Sequence, residues 1–366
     1  MINKIRLINT FKKLVRIDSL SYHEGRVMAF IKKELRSLGL KPYEAGKPKE
    51  GHAANLVVDL PGRRPRIILN AHVDTVTPGK NIKPVQRGNK IFSDGATVLG
   101  ADDKTGVAVI LEILRVLKKR KKPHPSLRVI FTVAEEIGLV GARALPKKLL
   151  SADFGITLDH GEINRIINKA PAQVNLMATI TGRAAHAGIH PERGINAIKV
   201  ASVAIANMKF GRIDKETTSN IGVIKGGKAT NIVPDKVEIR GEARSHDPAK
   251  LWAQIKQMQK VLSRTSSKYK AKLKIRTTKI YGSFEVHKRQ KVVKLVLAAV
   301  KRAGFKPQLI PTGGGSDANI LNAAGIPTLN MGVGMHRVHT KQEFADISEM
   351  VRGAEIVLDI ITECAK

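Results

Sequence analysis

The chain of 366 residues lacks several features that define specialised classes of protein. Its only cysteine is Cys364, so it has no internal disulfide framework, and we expect a reducing, cytoplasmic location. Aromatic residues make up only 4% of the chain, too few for a surface that stacks nucleic-acid bases. No apolar run approaches the roughly 20 residues of a membrane-spanning helix, and we recognise no secretory signal. A globular protein without a membrane partner is therefore expected.

Acidic residues are also scarce, since 31 Asp and Glu stand against 64 Lys and Arg and give a net charge of +33. Such a charge is compatible with a polyanionic partner such as nucleic acid. The densest basic block, residues 118–122, equally fits the C-terminal end of a helix, where cations complement the helix dipole. We therefore keep a polyanion-binding protein without hydrolytic activity as an alternative of another class.

The order of the predicted elements indicates two domains of the α/β class. Alternating strands and helices predict a mixed central sheet flanked by helices, built from residues 1–171 and 283–366. Between them, residues 172–282 show a βαββαβ order, which predicts an inserted ferredoxin-like α+β domain. Within the larger domain, residues 55–60 and 66–70 resemble the two strands of a hairpin. Asp103 is placed to cap a helix over residues 104–118.

Four short segments place acidic or histidine side chains where strands or helices of the larger domain should end. They are His72-Val-Asp74, Asp102-Asp103, Glu135-Glu136 and Asp159-His160. Each segment alone has an ordinary explanation, such as a turn, a helix cap or a solvated helix start. Two consecutive carboxylates after a buried strand are nevertheless unfavourable unless a cation meets them.

Taken together with His339 late in the chain, these segments predict a metal site. The set contains two imidazoles and three carboxylates, which suit two zinc-like ions that share one bridging carboxylate and hold a water between them. Its members are His72, Asp102, Glu136, Asp159 and His339. Glu135 would remain unliganded beside that water, where a carboxylate can act as general base.

With these motifs, the chain resembles the M20 family of dinuclear-zinc peptidases, and most closely its tripeptide aminopeptidase, or peptidase T-like, branch. The resemblance covers nearly the whole chain. Besides the segments above, it rests on Gly100-Ala-Asp-Asp-Lys104, Ala185-His186, Gly313-Gly-Gly-Ser-Asp317 and Val338-His-Thr340. It departs from the peptidase T pattern at His160, where a small residue is common, and in the high positive charge.

The resemblance implies a role for each residue of the metal site. His72 and Asp159 would hold one zinc, Glu136 and His339 the other, and Asp102 would bridge the two ions. Co²⁺ or Mn²⁺ are alternative ions. Asp74 would orient His72, Glu135 would act as base, and the Asp102–Asp103 peptide would be cis.

The resemblance also gives the inserted domain a role as lid and dimerisation domain of a homodimer. His186 would reach into the partner's site and stabilise the oxyanion, Arg244 would bind the substrate carboxylate, and Asn231 would contact the substrate. The ordinary alternative for His186 is a satisfied turn residue, and for Arg244 it is a surface charge at the end of a strand.

The sequence therefore predicts a metal-dependent exopeptidase acting on short peptides, in the first place an aminopeptidase acting on tripeptides. An M20-type carboxypeptidase, a dipeptidase or an N-acyl-amino-acid deacylase would need the same metal site and carboxylate clamp. Polyanion binding ranks below hydrolysis because the full ligand set is present.

Overall fold

The computed structural model describes residues 1–120 and 123–365, which form two compact units. Of the described residues, unit 1 comprises 1–120, 123–169, 285–311 and 316–365, and unit 2 comprises 170–284 and 312–315. Of the basic block at 118–122, residues 118–120 form the last turn of a helix, as the helix-dipole explanation predicts. Lys121 and Lys122 lie outside the described residues.

The helices of the described chain are α1 Lys4–Val15, α2 Gly25–Ser37, α3 Ala101–Arg120, α4 Val140–Ala144, α5 Ala197–Ala206, α6 Pro248–Lys268, α7 Lys291–Arg302, α8 Asp317–Ala323 and α9 Ile347–Glu363, with short 3-10 helices at Lys147–Leu149 and Pro191–Arg193. The strands are β1 Tyr43–Ala45, β2 Asn55–Leu60, β3 Arg63–His72, β4 Val85–Arg87, β5 Lys90–Phe92, β6 Pro125–Thr132, β7 Phe154–His160, β8 Arg165–Ala170, β9 Ala172–Thr181, β10 Gly211–Arg212, β11 Thr217–Gly226, β12 Lys236–Ser245, β13 Lys272–Tyr281, β14 Phe284–Glu285, β15 Gln308–Pro311, β16 Thr328–Gly332, β17 Met335–His336 and β18 Phe344–Asp346.

Unit 1 is built around a mixed sheet in the order β1-β2-β6-β3-β7-β16-β8. Its central strands β6, β3, β7 and β16 are parallel to their neighbours in this group. They are apolar and buried along most of their length, as strands covered by helices on both faces must be. The predicted mixed α/β sheet is confirmed.

The hairpin predicted for residues 55–60 and 66–70 is wrong. Strand β6 lies between β2 and β3, antiparallel to β2 and parallel to β3. The short turn between the two segments suggested direct pairing, but β6 lies between them, where its backbone N–H and C=O groups are paired along both edges. Proximity in the sequence therefore predicted the wrong neighbour for β2 and for β3.

The regular helical part of α3 begins after Asp103, as the sequence predicts, although the bounds of α3 start at Ala101. Asp102 and Asp103 have non-helical backbone angles, and Asp103 Oδ1 accepts a hydrogen bond from the Gly106 N–H at 3.1 Å. This is the N-cap geometry expected of an aspartate. The peptide between Asp102 and Asp103 is cis, as the resemblance implies. Asp102 therefore precedes the regular turns of α3.

Unit 2 contains an antiparallel sheet in the order β10-β11-β12-β9-β13, with α5 and α6 packed on its apolar core. Leaving aside the two-residue strand β10, the chain order βαββαβ and this strand order are those of a ferredoxin-like fold. The predicted α+β architecture is thus confirmed. Among the described residues, no helix combines the length and the apolar character needed to cross a membrane.

Candidate metal centre

The predicted ligands of unit 1 meet at one edge of its sheet. His72 ends β3, Glu136 follows β6, Asp159 lies near the end of β7, and His339 belongs to the loops after β16. Because these strands are parallel, their carboxyl ends share an edge, which is where open α/β sheets bind ligands. Asp102 reaches the same place from the start of α3.

Asp102 lies between the two imidazoles. Its Oδ1 is 3.0 Å from His72 Nε2, and its Oδ2 is 3.3 Å from His339 Nε2. His339 Nε2 also lies 3.0 Å from Glu136 Oε1. Each oxygen of one carboxylate thus faces a different histidine, the arrangement expected of a ligand that bridges two ions.

The donor atoms form two groups, each compact enough to surround a cation. One group is His72, Asp102 and Glu136, and the other is His72, Asp103 and Asp159, with all ligand atoms within 4.8 Å of one another in each group. Two donors on one tetrahedral zinc lie about 3.3 Å apart, given metal–ligand bonds of about 2.0–2.1 Å. The separations of 3.0 and 3.3 Å therefore fit shared ions.

The electrostatics of the cluster favour a cation. Burial, together with the negative charge of Asp102, raises the pKa of Asp159 well above its usual range. Burial likewise raises the pKa of Glu135, with a further contribution from Asp159. Hydrogen bonds to Asp102 and Glu136 raise the pKa of His339 to about 10. Carboxylates and imidazoles in this proportion are held most favourably around divalent ions.

Asp74 is a buried carboxylate that contacts several residues of the cluster. It is fully buried, and its Oδ1 lies 3.3 Å from His72 Nδ1, on the side of the ring away from Asp102. The same carboxylate accepts hydrogen bonds from the Glu135 N–H at 3.0 Å and the Glu136 N–H at 3.2 Å, and from Ser21 Oγ at 2.7 Å. One side chain therefore orients a histidine and the two consecutive glutamates.

Glu135 differs from its neighbours. Its side chain is mostly buried, yet no hydrogen bond to its carboxylate is found among the described residues. The backbone of Ala134 before it is left-handed, with φ of 51°, and so is that of His339, with φ of 61°. Such conformations are uncommon for residues with a side chain and cluster at functional sites. The geometry leaves Glu135 available as a proton acceptor.

The other predicted site residues belong to unit 2. His186 and Asn231 are exposed and adjacent, since His186 forms a bridge with Ile232 and the Ala187 N–H bonds to the Asn231 carbonyl. Arg244 lies on β12, and its guanidinium makes two hydrogen bonds to Glu242, at 2.9 and 3.1 Å. The sequence did not indicate this ion pair.

The structure also shows residues around the centre whose roles the sequence analysis did not identify. Asp103 belongs to one ligand group and accepts the His72 N–H with Oδ2 at 3.2 Å. Asn330 on β16 exchanges two hydrogen bonds with the backbone of Asp159. Asp317 accepts hydrogen bonds from Thr132 and Asn70 beneath the site. The adjacent pair Asp102-Asp103 could have indicated a role for Asp103. Nothing in the sequence indicates the contacts of Asn330 and Asp317.

A cluster of carboxylates and imidazoles at the carboxyl ends of the strands of a mixed α/β sheet is typical of a metal-dependent hydrolase. The sequence profile described as Peptidase family M20/M25/M40 matches residues 68–363. The chain therefore belongs to this family and is a peptide hydrolase, and the predicted resemblance is confirmed.

Similar proteins cover the chain from end to end. The structure of a tripeptidase from Staphylococcus aureus subsp. aureus Mu50 is 40% identical, with a TM-score of 0.92, and covers 100% of this chain and 99% of that one. The structure of aminopeptidase PepT from Bacillus cereus ATCC 10987 is also 40% identical, with a TM-score of 0.86 and full coverage of both chains. Uncharacterized protein YqjE of Bacillus subtilis (strain 168) is 41% identical over 371 residues, with full coverage of both.

Proposed function

We propose that this protein is an aminopeptidase that removes the N-terminal residue from tripeptides, with two metal ions at the centre described above. The observation that carries the proposal is the position of Asp102, whose two oxygens face His72 and His339 separately. The 40% identity to a tripeptidase and to an aminopeptidase over the whole chain supports the choice of reaction.

In this proposal, His72 and Asp159 would hold one zinc ion, Glu136 and His339 would hold the other, and Asp102 would contribute to both. Co²⁺ or Mn²⁺ are the alternative ions. When bound, the ions polarise the peptide carbonyl and make water acidic enough to react near neutral pH. Glu135 accepts the proton of the attacking water and delivers it to the departing amine. Asp74 keeps His72 in the tautomer that leaves Nε2 free to bind metal.

Residues 172–282 are proposed to form a lid and dimerisation domain of a homodimer in the cytoplasm. His186 would donate a hydrogen bond to the oxyanion in the partner's site, and Asn231 would contact the peptide. Arg244 would bind the terminal carboxylate of the substrate. Its ion pair with Glu242 holds the planar guanidinium in a defined orientation.

The direct test uses a tripeptide of three different residues, offered free, N-acetylated and C-amidated, with products identified by mass spectrometry. We expect release of the N-terminal residue from the free peptide, no reaction with the acetylated one, and weak reaction with the amidated one. Release of the C-terminal residue would instead identify a carboxypeptidase, and release of acetate a deacylase. Hydrolysis that resists a strong chelator would contradict the metal mechanism.

A further inference from the structure

Glu343 is a buried carboxylate that no step of the proposed reaction uses. It is only 1% exposed, and it lies four residues after His339 and just before β18. An ionised side chain is rarely buried unless every oxygen has a partner. The partners of Glu343 therefore indicate why it is there.

All three partners are backbone N–H groups of the segment that leads to α3. Glu343 Oε2 accepts hydrogen bonds from Leu99 at 2.6 Å and Gly100 at 2.8 Å, and Oε1 accepts one from Asp102 at 3.0 Å. Hydrogen bonds to a carboxylate are shorter and stronger than those between neutral groups. Both oxygens are thus committed to one stretch of four residues.

This segment needs an external anchor because it makes little regular structure. Gly100 has a φ of 71°, and Asp102 and Asp103 have non-helical backbone angles, so helical hydrogen bonds do not hold Asp102 in place. The next residue, Asp103, is held because its carboxylate accepts hydrogen bonds from the N–H groups of His72 and Gly106. The N–H of Asp102 itself is held by Glu343.

One short segment therefore supplies both a histidine of the cluster and the anchor of the carboxylate between the histidines. His339 Nε2 lies 3.3 Å from Asp102 Oδ2, and Glu343 holds the backbone of the same aspartate. A shift of residues 339–343 would move the ligand and the anchor together. The position of Asp102 relative to both imidazoles therefore depends on one buried side chain, that of Glu343.

We propose that Glu343 is a positioning residue that holds Asp102 in the orientation needed to bridge two metal ions. The proposal rests on the metal centre of the proposed function. A side chain that orients a metal ligand typically changes metal affinity by 10–100-fold when it is replaced. A residue that merely tied down a loop would change stability and leave the affinity of the folded protein unaltered.

The test compares zinc binding of the metal-free wild-type protein and the Glu343→Gln variant, by competition with a chromophoric chelator. Glutamine is close in size but offers only one acceptor oxygen, so at least one of the three N–H groups loses its partner. We expect 10–100-fold weaker zinc binding. Excess zinc should restore most of the turnover of a tripeptide, with KM within about twofold of wild type. Glu355→Gln, which removes an exposed carboxylate paired with Arg352, is the matched control and should bind zinc as wild type does.

Each outcome separates this inference from the metal centre itself. If the wild-type protein does not bind two zinc ions, the metal centre is wrong, and this inference falls with it. If the wild type binds two ions and a folded Glu343→Gln binds them equally well, only the role of Glu343 is refuted, even if its thermal stability is lower. Should Glu343→Gln not fold, Glu343→Asp is judged by the same criterion, because its shorter carboxylate cannot reach all three N–H groups.

Discussion

Replacement of Asp74 by asparagine should weaken the metal centre without changing any proposed ligand. Asp74 makes four contacts, with His72 Nδ1, the N–H groups of Glu135 and Glu136, and Ser21 Oγ. Asparagine keeps one acceptor oxygen and places an NH₂ group where the other oxygen was. That NH₂ group then faces a buried N–H or the imidazole. At least one of the contacts that the charged carboxylate of Asp74 makes is therefore lost.

The magnitude follows from these contacts. A hydrogen bond to a charged group contributes about 1.5–3 kcal/mol, and a buried N–H left without a partner adds to the loss. We expect the free energy of unfolding of the metal-free protein to fall by about 2–4 kcal/mol, measured by urea denaturation. Zinc affinity should fall by about 10–100-fold, because His72 loses its orienting partner.

The matched control is Ser21→Ala, which removes one contact and leaves the other three. Its effect on unfolding should be less than half that of Asp74→Asn, and its zinc affinity should stay within about threefold of wild type. Wild-type zinc affinity and turnover in a folded Asp74→Asn protein would refute the reasoning. Equal effects of the two substitutions would show that the contacts to His72, Glu135 and Glu136 are unimportant.

Three further predictions concern other carboxylates. Glu135→Gln should lower kcat by about 10²–10⁴-fold with zinc content and KM unchanged, and near-normal turnover would exclude Glu135 as the base. Burial and the charge of Asp74 raise the pKa of Glu24 from 4.5 to about 7. Since the folded protein keeps that proton to higher pH than the unfolded chain, this group makes stability fall as pH rises from about 4.5 to 7. The unfolding free energy of the wild type minus that of Glu24→Gln should therefore fall by up to about 3 kcal/mol over that range. A difference that does not change with pH would contradict the raised pKa. Arg6→Met leaves the fully buried Glu112 without its cation and should cost about 2–4 kcal/mol in urea denaturation, whereas Arg352→Met, on an exposed pair, should cost under about 1 kcal/mol; equal costs would refute the distinction.

The local elements follow from the sequence because their causes are local. The apolar periodicity of residues 104–118 and the cap at Asp103 define α3, and the βαββαβ order of residues 172–282 predicts the sheet found in unit 2. The acidic pairs could be recognised as candidate ligands because consecutive buried carboxylates are unfavourable without a cation.

The neighbours of each element were decided only by the tertiary structure. Strand β6 separates β2 from β3, although the two are adjacent in sequence, because strand pairing depends on which edges remain to be covered.

The sequence by itself determined which side chains could bind metal, since only certain residue types carry suitable donors. The tertiary structure decided how those donors are oriented. Glu343 holds the backbone of Asp102 across 241 positions of the chain, and Asp74 holds that of Glu135 across 61. Every residue except proline has a backbone N–H, so nothing in the sequence marks which of them a distant carboxylate will bind.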